Sequence, residues 1–354
     1  MTEAITTSCG RFKAEVLTSI DAVGPEWDEL MATARAPVFY RRPFLSAFER
    51  YPLHPVRRTA YILIRDAGGV LQAAFPAYLQ QGVDPMRVIN DHFPETLGQP
   101  ALMSHVWHCY DTVIPARPRA IPAINVALDM LHHVACDWGA TLYGLANVDA
   151  ATRLNDLLEI RGLHGTDIDI GWGLDLPSRK DYDGYLTTLP SKPRRNLQRD
   201  LRAAQRAGVT AIICAAHDAD LDGFVTLARA TAAKHNNSDY YQPGLFQNFV
   251  LALGDDVRVL ELRARDGLIC SGLILLDDTR YHFWACGFAP RGAFSAFYVA
   301  FDHIMRGAFS SGRSWVELGR RNPDFKRRYG LTPRTLRAWA GTVHDEKRPP
   351  VSFS

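Results

Sequence analysis

The pattern of hydrophobic and polar positions in the first half of the chain predicts a mixture of strands and helices. Two apolar runs separated by Asp66-Ala67-Gly68-Gly69 are typical of a β-hairpin. Other segments repeat apolar residues at helical spacing, which indicates helices with one buried face. The expected strands are Phe12–Ile20, Tyr61–Arg65, Val70–Tyr78 and Ala140–Leu145, and the expected helices are Gly24–Thr33, Pro122–Gly139 and Val148–Gly162.

The second half of the chain returns to the same order of elements. Apolar residues of Phe297–Ser310 fall on one stripe, as expected of a helix that covers a sheet. The expected strands are Val209–Ala215, Val257–Arg265, Leu268–Asp277, Tyr281–Gly287, Ser314–Gly319 and Leu336–Val343, and the further expected helices are Asp220–Lys234 and Pro243–Leu253.

This repetition predicts a duplicated α/β unit. Glycines and a proline between His164 and Pro190 break the pattern, so a linker is expected there. A chain of 354 residues has room for two domains. We therefore expect an α/β fold with one domain at residues 1–165 and a second at residues 166–354.

Charge is unevenly distributed between the two expected domains. Residues 1–165 hold 14 Lys and Arg against 17 Asp and Glu, whereas residues 166–354 hold 26 against 21. A basic second half favours an anionic ligand, and scattered solvated charge is the alternative.

Cysteine spacing and hydropathy disfavour several other classes of protein. The six cysteines are dispersed without CxxC or Cys/His ligand spacing, so no metal is expected. The N-terminal residues lack the apolar core of a signal peptide, and no apolar run of about 18 residues could span a membrane. These features predict a cytoplasmic protein.

The segment Ser191–Gly208 combines helical spacing with six basic residues and one acid, Asp200. Like charges spaced one turn apart repel each other, so a purely structural helix gains nothing from this arrangement. Phosphate contacts by Arg194, Arg195 and Arg199 explain it, and a solvated face is the alternative. The basic positions that share one face are Arg195, Arg199, Arg202 and Arg206, opposite Leu197, Leu201 and Ala204.

A second basic cluster lies in Leu318–Arg337, where seven basic residues accompany the single acid Asp324. Gly319 ends an expected strand, so Lys326 is expected in a loop or short helix just beyond it, where function concentrates. A basic surface loop is the alternative. The candidate phosphate ligands in this cluster are Arg320, Arg321 and Arg327.

The segment Gly287–Tyr298 leads into the amphipathic helix through two glycines and a proline. Such a loop can direct backbone N–H groups towards an anion at the start of a helix. Phe294, Ser295 and Tyr298 are its candidate donor-binding residues. The segment lacks P-loop and GxGxxG spacing, so an ordinary connection is the alternative.

Polar and aromatic residues in Lys234–Gln242 are candidates for an acceptor pocket, and a plain loop is the alternative. On a nearby expected strand, alternation places two further candidates on one sheet face, where a core histidine is the alternative. The acceptor-pocket candidates are His235, Asp239, Tyr240, His282 and Trp284.

No GxSxG or HExxH motif is present, so a nucleophile with its own base is not expected. An enzyme built from these residues would act by positioning and electrostatic stabilisation. Lys326 is the candidate that supplies charge to a developing oxyanion. Glu317 is a weaker candidate for a general base.

Three segments in order, LPSKPRRNLQRDLRAAQRAGV, FYVAFDHIMRGAFSSG and SWVELGRRNPDFKRRYG, resemble the FemABX-like branch of the GNAT acyltransferase superfamily. The resemblance implies two tandem GNAT-like domains with mixed, largely antiparallel sheets, the second better preserved. It also implies that Lys326 stabilises the reacting carbonyl and that the basic helix and Phe294–Tyr298 face the donor. Two family features are missing, namely a coiled-coil arm and the full Q/RxxGxG/A signature of CoA-binding members.

The resemblance implies an amide-forming transfer of an aminoacyl group from aminoacyl-tRNA to a small-molecule or peptidyl amine. The tRNA acceptor end would then be the partner of the basic clusters, and no cofactor would be bound permanently. One alternative keeps the enzyme but uses acyl-CoA, such as acetyl-CoA, as co-substrate. A second alternative is a non-catalytic RNA-binding module, for which Phe325 and Tyr329 are the best stacking candidates.

Overall fold

The structure is a computed structural model that describes residues 5–343 apart from residues 10, 83–87, 95–96, 106–108, 235 and 291. The strands are β1 (Ile5–Cys9), β2 (Phe12–Leu17), β3 (Arg58–Asp66), β4 (Leu71–Gln81), β5 (Pro100–Met103), β6 (Leu142–Asp149), β7 (His164–Asp175), β8 (Thr210–Ala215), β9 (Val257–Ala264), β10 (Gly267–Leu276), β11 (Arg280–Phe288), β12 (Trp315–Glu317) and β13 (Thr332–Thr342).

The α-helices alternate with these strands, and short 3-10 turns connect several of them. The helices are α1 (Glu26–Thr33), α2 (Arg42–Arg50), α3 (Val88–His92), α4 (Ile121–Asp137), α5 (Leu154–Ile160), α6 (Tyr182–Thr188), α7 (Ser191–Arg206), α8 (Leu221–Ala233), α9 (Leu245–Ala252), α10 (Ala296–Ser310) and α11 (Pro323–Arg328).

The chain divides into two compact units. The first unit contains the described residues up to Asp169 and those from Thr335 onward, and the second unit is Ile170–Arg334. The boundary at Asp169 lies four residues beyond the one expected from the sequence. The C-terminal strand was expected to belong to the second domain, but β13 pairs from Leu336 onward with β6 and belongs to the first unit.

The sheet of the first unit is mostly antiparallel. Its strand order is β1-β2-β3-β4-β5-β6-β13. The step from β5 to β6 is parallel, because α4 crosses between these strands and returns the chain to the same end of the sheet. Buried apolar residues of β3 and β4, among them Ile62 and Phe75, form the centre of its core.

The sheet of the second unit repeats this scheme. Its strand order is β7-β12-β11-β10-β9-β8, and the step between β11 and β12 is parallel, with α10 as the crossing helix. All other pairs in this sheet are antiparallel. The mixed, largely antiparallel α/β architecture predicted from the sequence is thus confirmed within each unit.

Helices cover both faces of the second unit's sheet. On the first face, Leu260, Ile274 and Tyr281 belong to one core cluster with residues of α6, α7, α10 and α11. On the second face, Trp284 packs on Phe246 and Phe249 of α9. We call these the α10 face and the α9 face.

The expected linker at residues 164–190 is instead folded, since β7 and α6 lie within it. The glycines that suggested a flexible segment allow close packing. A Cβ atom on Gly173 would lie 2.3 Å from the Trp315 ring, and one on Gly165 would lie 2.8 Å from the Trp339 ring. Glycine is therefore required here by tight packing rather than by chain flexibility.

Candidate functional site

The parallel strands β11 and β12 separate at their carboxyl ends. Their pairing runs from Arg280↔Trp315 to His282↔Glu317 and goes no further. Beyond His282, β11 continues to Phe288 along β10, whereas the chain after Glu317 turns to β7, where the Leu318 N–H donates to the Trp172 carbonyl at 2.8 Å. A gap between parallel strands, beside the helix that crosses them, is a common place for ligands in α/β sheets.

The loop that leaves β12 has an unusual backbone. Gly319, Arg321 and Asn322 have φ angles of 68°, 62° and 52°. Left-handed conformations of non-glycine residues cost about 1–3 kcal/mol each and are enriched at functional sites. This loop delivers the chain directly into α11, whose fourth residue is Lys326.

Lys326 is almost completely buried, with 3% of its surface exposed. Its Nζ donates to the Gly319 carbonyl at 2.6 Å and to the Arg320 carbonyl. The strained loop therefore holds the ammonium group in place through two backbone oxygens.

The thiol of Cys286, a residue of β11, is influenced by the charge of Lys326. It lies on β11 beyond the last residue paired with β12. Burial raises the pKa of the Cys286 thiol to about 12, and the charge of Lys326 opposes that shift. The ammonium of Lys326 therefore acts electrostatically on the edge of β11 that β12 has left.

Aromatic and hydrogen-bond contacts tie α7, α10 and α11 together on the α10 face. The Tyr329 hydroxyl donates to the Pro193 carbonyl at 3.0 Å. The Phe325 ring lies 4.4 Å from the Tyr329 ring and 5.5 Å from the Tyr298 ring, between centroids. The structure thus brings together the three segments with candidate donor-binding residues, namely Ser191–Gly208, Gly287–Tyr298 and Leu318–Arg337. Phe294 also packs against this core.

A carboxylate from α7 occupies the start of α10. The Ser295 N–H donates to Asp200 Oδ1 at 2.9 Å, and Asp200 Oδ2 accepts from the Arg199 guanidinium at 2.9 Å. The Asp200 side chain is 7% exposed. A helix start attracts anions, and here the anion is supplied by the chain itself.

The arginines predicted to contact phosphate are mostly on the surface. On α7, Leu197 and Ala204 are buried, whereas Arg195 and Arg199 are exposed and Arg194 is half-buried. This confirms the predicted division of α7 into an apolar and a basic face. In the second cluster, Arg321 and Arg327 are exposed and Arg320 is half-buried. The Arg327 guanidinium lies 5.5 Å from the centre of the Trp172 ring.

Glu317 makes structural contacts with both carboxylate oxygens. Oε1 accepts from the Trp172 N–H at 3.2 Å, and Oε2 accepts from the Trp315 indole at 3.2 Å and from Arg334 at 2.5 Å. Its register partner His282 lies on the α9 face, whereas the neighbouring Val316 belongs to the α10 face. Glu317 therefore points away from the face that carries Phe325 and α11, and its contacts are those of a buried ion pair.

His282 is fully enclosed on the α9 face and contacts Asp277 Oδ2 through Nε2 at 3.1 Å. Burial by itself raises the pKa of Asp277, but the hydrogen bond from His282 and the charges of His282 and Arg280 outweigh it and lower that pKa overall. The same carboxylate accepts from the backbone N–H of Thr279. The contacts of Asp277 with His282 and Thr279 stabilise the turn between β10 and β11.

The other acceptor-pocket candidates have separate environments. Tyr240 is 3% exposed and Trp284 is 3% exposed; both pack against Phe246 on the α9 face. Asp239 is exposed, and His235 lies outside the described residues. Side chains as enclosed as Tyr240, Trp284 and His282 pack the interior and offer almost no surface to an acceptor.

Two features of the site were missed by sequence reasoning. The sequence analysis counted Asp200 only as the single acid among the basic residues of α7. Its place on the apolar side of that helix indicates a specific hydrogen-bond partner, which is the Ser295 N–H. Cys286 was counted only as a dispersed cysteine, because its position beyond the β11–β12 pairing depends on the register of the two strands.

Among the described residues, no group of three or more His, Cys, Asp or Glu side chains could hold a metal ion. Within the same part of the chain, no helix has the length and apolar character needed to cross a membrane.

Residues 191–327 match the model of the protein family described as Acetyltransferase (GNAT) domain. A search of curated proteins finds no significant match. The matched segment begins at the start of α7 and ends one residue after Lys326, so it contains α7, β11, α10, β12 and Lys326.

Solved structures with a similar fold span almost the whole chain. FemX shares 11% identity at a TM-score of 0.64, with 88% of this chain and 95% of FemX covered. L-PGS from Bacillus licheniformis shares 12% identity at a TM-score of 0.57, with 93% and 95% covered. A tandem GNAT protein from the clavulanic acid biosynthesis pathway shares 12% at 0.55, with 98% and 100% covered. These similarities confirm a tandem GNAT-like fold.

Proposed function

We propose that the protein transfers an aminoacyl group from aminoacyl-tRNA to an amine of a small-molecule or peptidyl acceptor. The match of residues 191–327 to the family model described as Acetyltransferase (GNAT) domain supports an acyl transfer. The observation that carries this proposal is the buried ammonium of Lys326, which the loop after β12 holds through the carbonyls of Gly319 and Arg320. The FemABX-like resemblance of the sequence supports the choice of donor.

In the proposed reaction, the amine nitrogen attacks the ester carbonyl carbon of the donor. The C–N bond forms as the carbonyl oxygen takes on negative charge, and the C–O bond to the ribose then breaks. The amine loses a proton and the departing ribose oxygen gains one, so no oxidant, reductant or metal is required. The activation barrier is lowered by stabilising the negative charge that develops on the carbonyl oxygen of the tetrahedral intermediate.

Lys326 has the chemistry to stabilise that charge. Its ammonium group is held by the carbonyls of Gly319 and Arg320, and its positive charge opposes the negative charge of a developing oxyanion. Burial in a low-dielectric environment strengthens such an interaction relative to water. Removing one preorganised donor of this kind typically lowers kcat about 10²–10³-fold.

The charge around α10 favours RNA over CoA as donor. The start of α10 would be the natural place for a pyrophosphate, but the Asp200 carboxylate already accepts the Ser295 N–H there. The exposed arginines Arg195 and Arg199 on α7 offer instead an extended surface that suits a chain of phosphates. Arg321 and Arg327 provide a second exposed group of cations.

Acyl-CoA is the second candidate donor, because the matching family model is described as an acetyltransferase domain. A non-catalytic RNA-binding role is less well supported. Phe325 and Tyr329, the residues proposed to stack on bases, are 8% and 1% exposed and stack on each other in the core. They lack the open ring faces that base stacking requires.

The test uses the full chain, tRNA charged with a labelled amino acid, and a panel of amine acceptors, with amide product measured by mass spectrometry. We expect product with the wild type and a loss of about 10²–10³-fold in rate with Lys326→Met. Lys326→Arg, which keeps the charge, separates a lost charge from a disturbed α11. Lys180→Met is the matched control, because Lys180 is an exposed lysine of the same unit.

Undiminished transfer by the Lys326→Met variant would remove Lys326 from the mechanism. Transfer from acetyl-CoA and none from charged tRNA would replace the proposed donor with the second candidate. Tight RNA binding with no transfer from either donor would favour the binding module.

A further inference from the structure

Strand β8 (Thr210–Ala215) lies at the edge of the second unit's sheet. Within the part of the chain that the structure describes, β9 is the only strand paired with it. Successive residues of an antiparallel strand alternate in the direction of their backbone hydrogen-bonding groups. About half of the residues of β8 therefore direct an N–H and a C=O away from β9, where a further strand can pair with them.

The side chains of β8 add an apolar surface to this edge. Ile212 is 54% exposed and Ile213 is 39% exposed. Ile213 is the register partner of Leu260, which belongs to the α10 face, and Ile212 is the register partner of Glu261. Because successive side chains of a strand point to opposite faces, the sheet exposes one isoleucine on each face beside the open edge.

The features that commonly protect an edge strand are missing from β8. Natural proteins place a lysine, a proline or a β-bulge in such strands to prevent further pairing. The sequence of Thr210–Ala215, TAIICA, contains no charged residue and no proline, and its pairing with β9 keeps one continuous register. Strand β8 is thus a regular, uncharged template for another strand.

The residues that flank β8 carry opposite charges. Arg206 precedes the strand as the exposed last residue of α7. Asp218 follows the strand, and 65% of its side chain is exposed. The two ends of the open edge therefore differ in charge, and this difference gives the edge a preferred direction of pairing.

We propose that β8 pairs with β8 of a second copy of this chain, in antiparallel orientation about a two-fold axis. This orientation brings the Arg206 end of each strand beside the Asp218 end of the other, so the complementary charges meet twice. It also covers Ile212 and Ile213 of both copies. A parallel pairing would bring like charges together at both ends, which costs free energy.

The pairing goes beyond the proposed function, because it requires neither a donor nor an acceptor. Its test is sedimentation equilibrium of the full chain over about 1–100 μM, a range suited to interfaces of modest size. We expect the wild type to shift with concentration towards twice the 39.5 kDa of one chain.

Two substitutions of exposed isoleucines locate the interface. Ile212→Lys should weaken dimerisation about tenfold or more, because it places two like charges at the centre of the pairing and lysine protects natural edge strands. Ile160→Lys is the matched control, since Ile160 is 81% exposed on α5 of the first unit. It should dimerise as the wild type does.

Exchange of the flanking charges tests the orientation. Arg206→Glu and Asp218→Arg should each weaken dimerisation about tenfold, because each turns both attractive contacts of the two-fold pair into repulsive ones. The double variant Arg206→Glu/Asp218→Arg should recover to within about threefold of the wild type, since opposite charges meet again. Recovery of this kind excludes unfolding as the cause of the single losses, and circular dichroism of Ile212→Lys checks its fold separately.

A wild type that remains monomeric at about 100 μM would overturn the proposal. A dimer that Ile212→Lys leaves intact would also overturn it, because the contact would then lie on another surface. A double variant that dimerises no better than the single variants would overturn the antiparallel orientation. None of these results depends on aminoacyl transfer, so each leaves the proposed function to its own test.

Discussion

Replacing Glu317 by Gln separates a structural role from a catalytic one. The carboxylate is fully buried and pairs with Arg334, whose side chain is only 14% exposed. Its oxygens also accept from the Trp172 N–H and the Trp315 indole. Glutamine keeps the shape and one acceptor, but it removes the charge and places an amide N–H₂ against one of these donors.

The expected cost follows from that arrangement. Removing one partner of a buried ion pair costs about 3–5 kcal/mol. Because glutamine keeps one acceptor oxygen, we expect about 2–4 kcal/mol for Glu317→Gln. For a protein unit of this size, the corresponding fall in Tm is on the order of 10 °C. The double variant Glu317→Gln/Arg334→Met should lose less than the sum of the single variants, since neither charge is then left alone.

The assays are urea unfolding followed by circular dichroism and the rate of aminoacyl transfer per folded molecule. Glu159→Gln is the control, because Glu159 is exposed on α5. The folded fraction of Glu317→Gln should retain its transfer rate within about threefold, whereas loss of a general base lowers rates about 10²–10⁴-fold. Unchanged stability together with a loss of that size would refute the structural role and restore Glu317 as a base.

Three further predictions concern other parts of the chain. Asp200→Asn removes the carboxylate charge at the start of α10, so titration with inorganic pyrophosphate should show binding at least about tenfold tighter than in the wild type; unchanged binding would show that Asp200 does not exclude phosphate. The double variant Arg195→Gln/Arg202→Gln removes two charges from the exposed face of α7. The slope of log K against log salt for tRNA binding is negative, and it should become less steep by about 1.5; an unchanged slope would place the RNA elsewhere. Burial lowers the pKa of His54 to about 4, so only the unfolded chain gains this proton as pH falls from its ordinary pKa near 6.5 towards 4. His54 should therefore contribute about 3 kcal/mol to the decline in the free energy of unfolding over that range. His54→Gln should remove this contribution from the decline measured by urea unfolding at each pH, and the buried His105, whose pKa is lowered to about 3, should account for a remaining part; an identical decline in the variant would contradict this origin.

Elements with strong periodicity could be predicted from the sequence. The basic and apolar faces of α7, the stripe of α10 and the meander of β9 to β11 all depend on local spacing, and the structure confirms them. In contrast, β7 and α6 were missed because glycine was interpreted as a breaker. At Gly173 its actual role is to admit the Trp315 ring, a contact between residues far apart in the chain.

The site was predictable only in part for the same reason. Lys326 could be selected because it follows a strand that ends in glycine within a basic segment. Its burial and its bonds to Gly319 and Arg320 depend on the left-handed backbone of the loop, which sequence does not reveal at Arg321. The faces on which Glu317 and Trp284 lie depend on strand register and helix placement, so their candidate roles could not be tested before the fold was known.

Donor competition under single-turnover conditions tests the central claim most directly. The full chain is incubated with tRNA charged with a labelled amino acid, an excess of unlabelled acetyl-CoA and an acceptor amine, and both amide products are measured. We predict the aminoacyl amide as the main product, with its formation reduced about 10²–10³-fold by Lys326→Met. Formation of the acetyl amide alone, or equal formation of the aminoacyl amide by the Lys326→Met variant, would contradict the account.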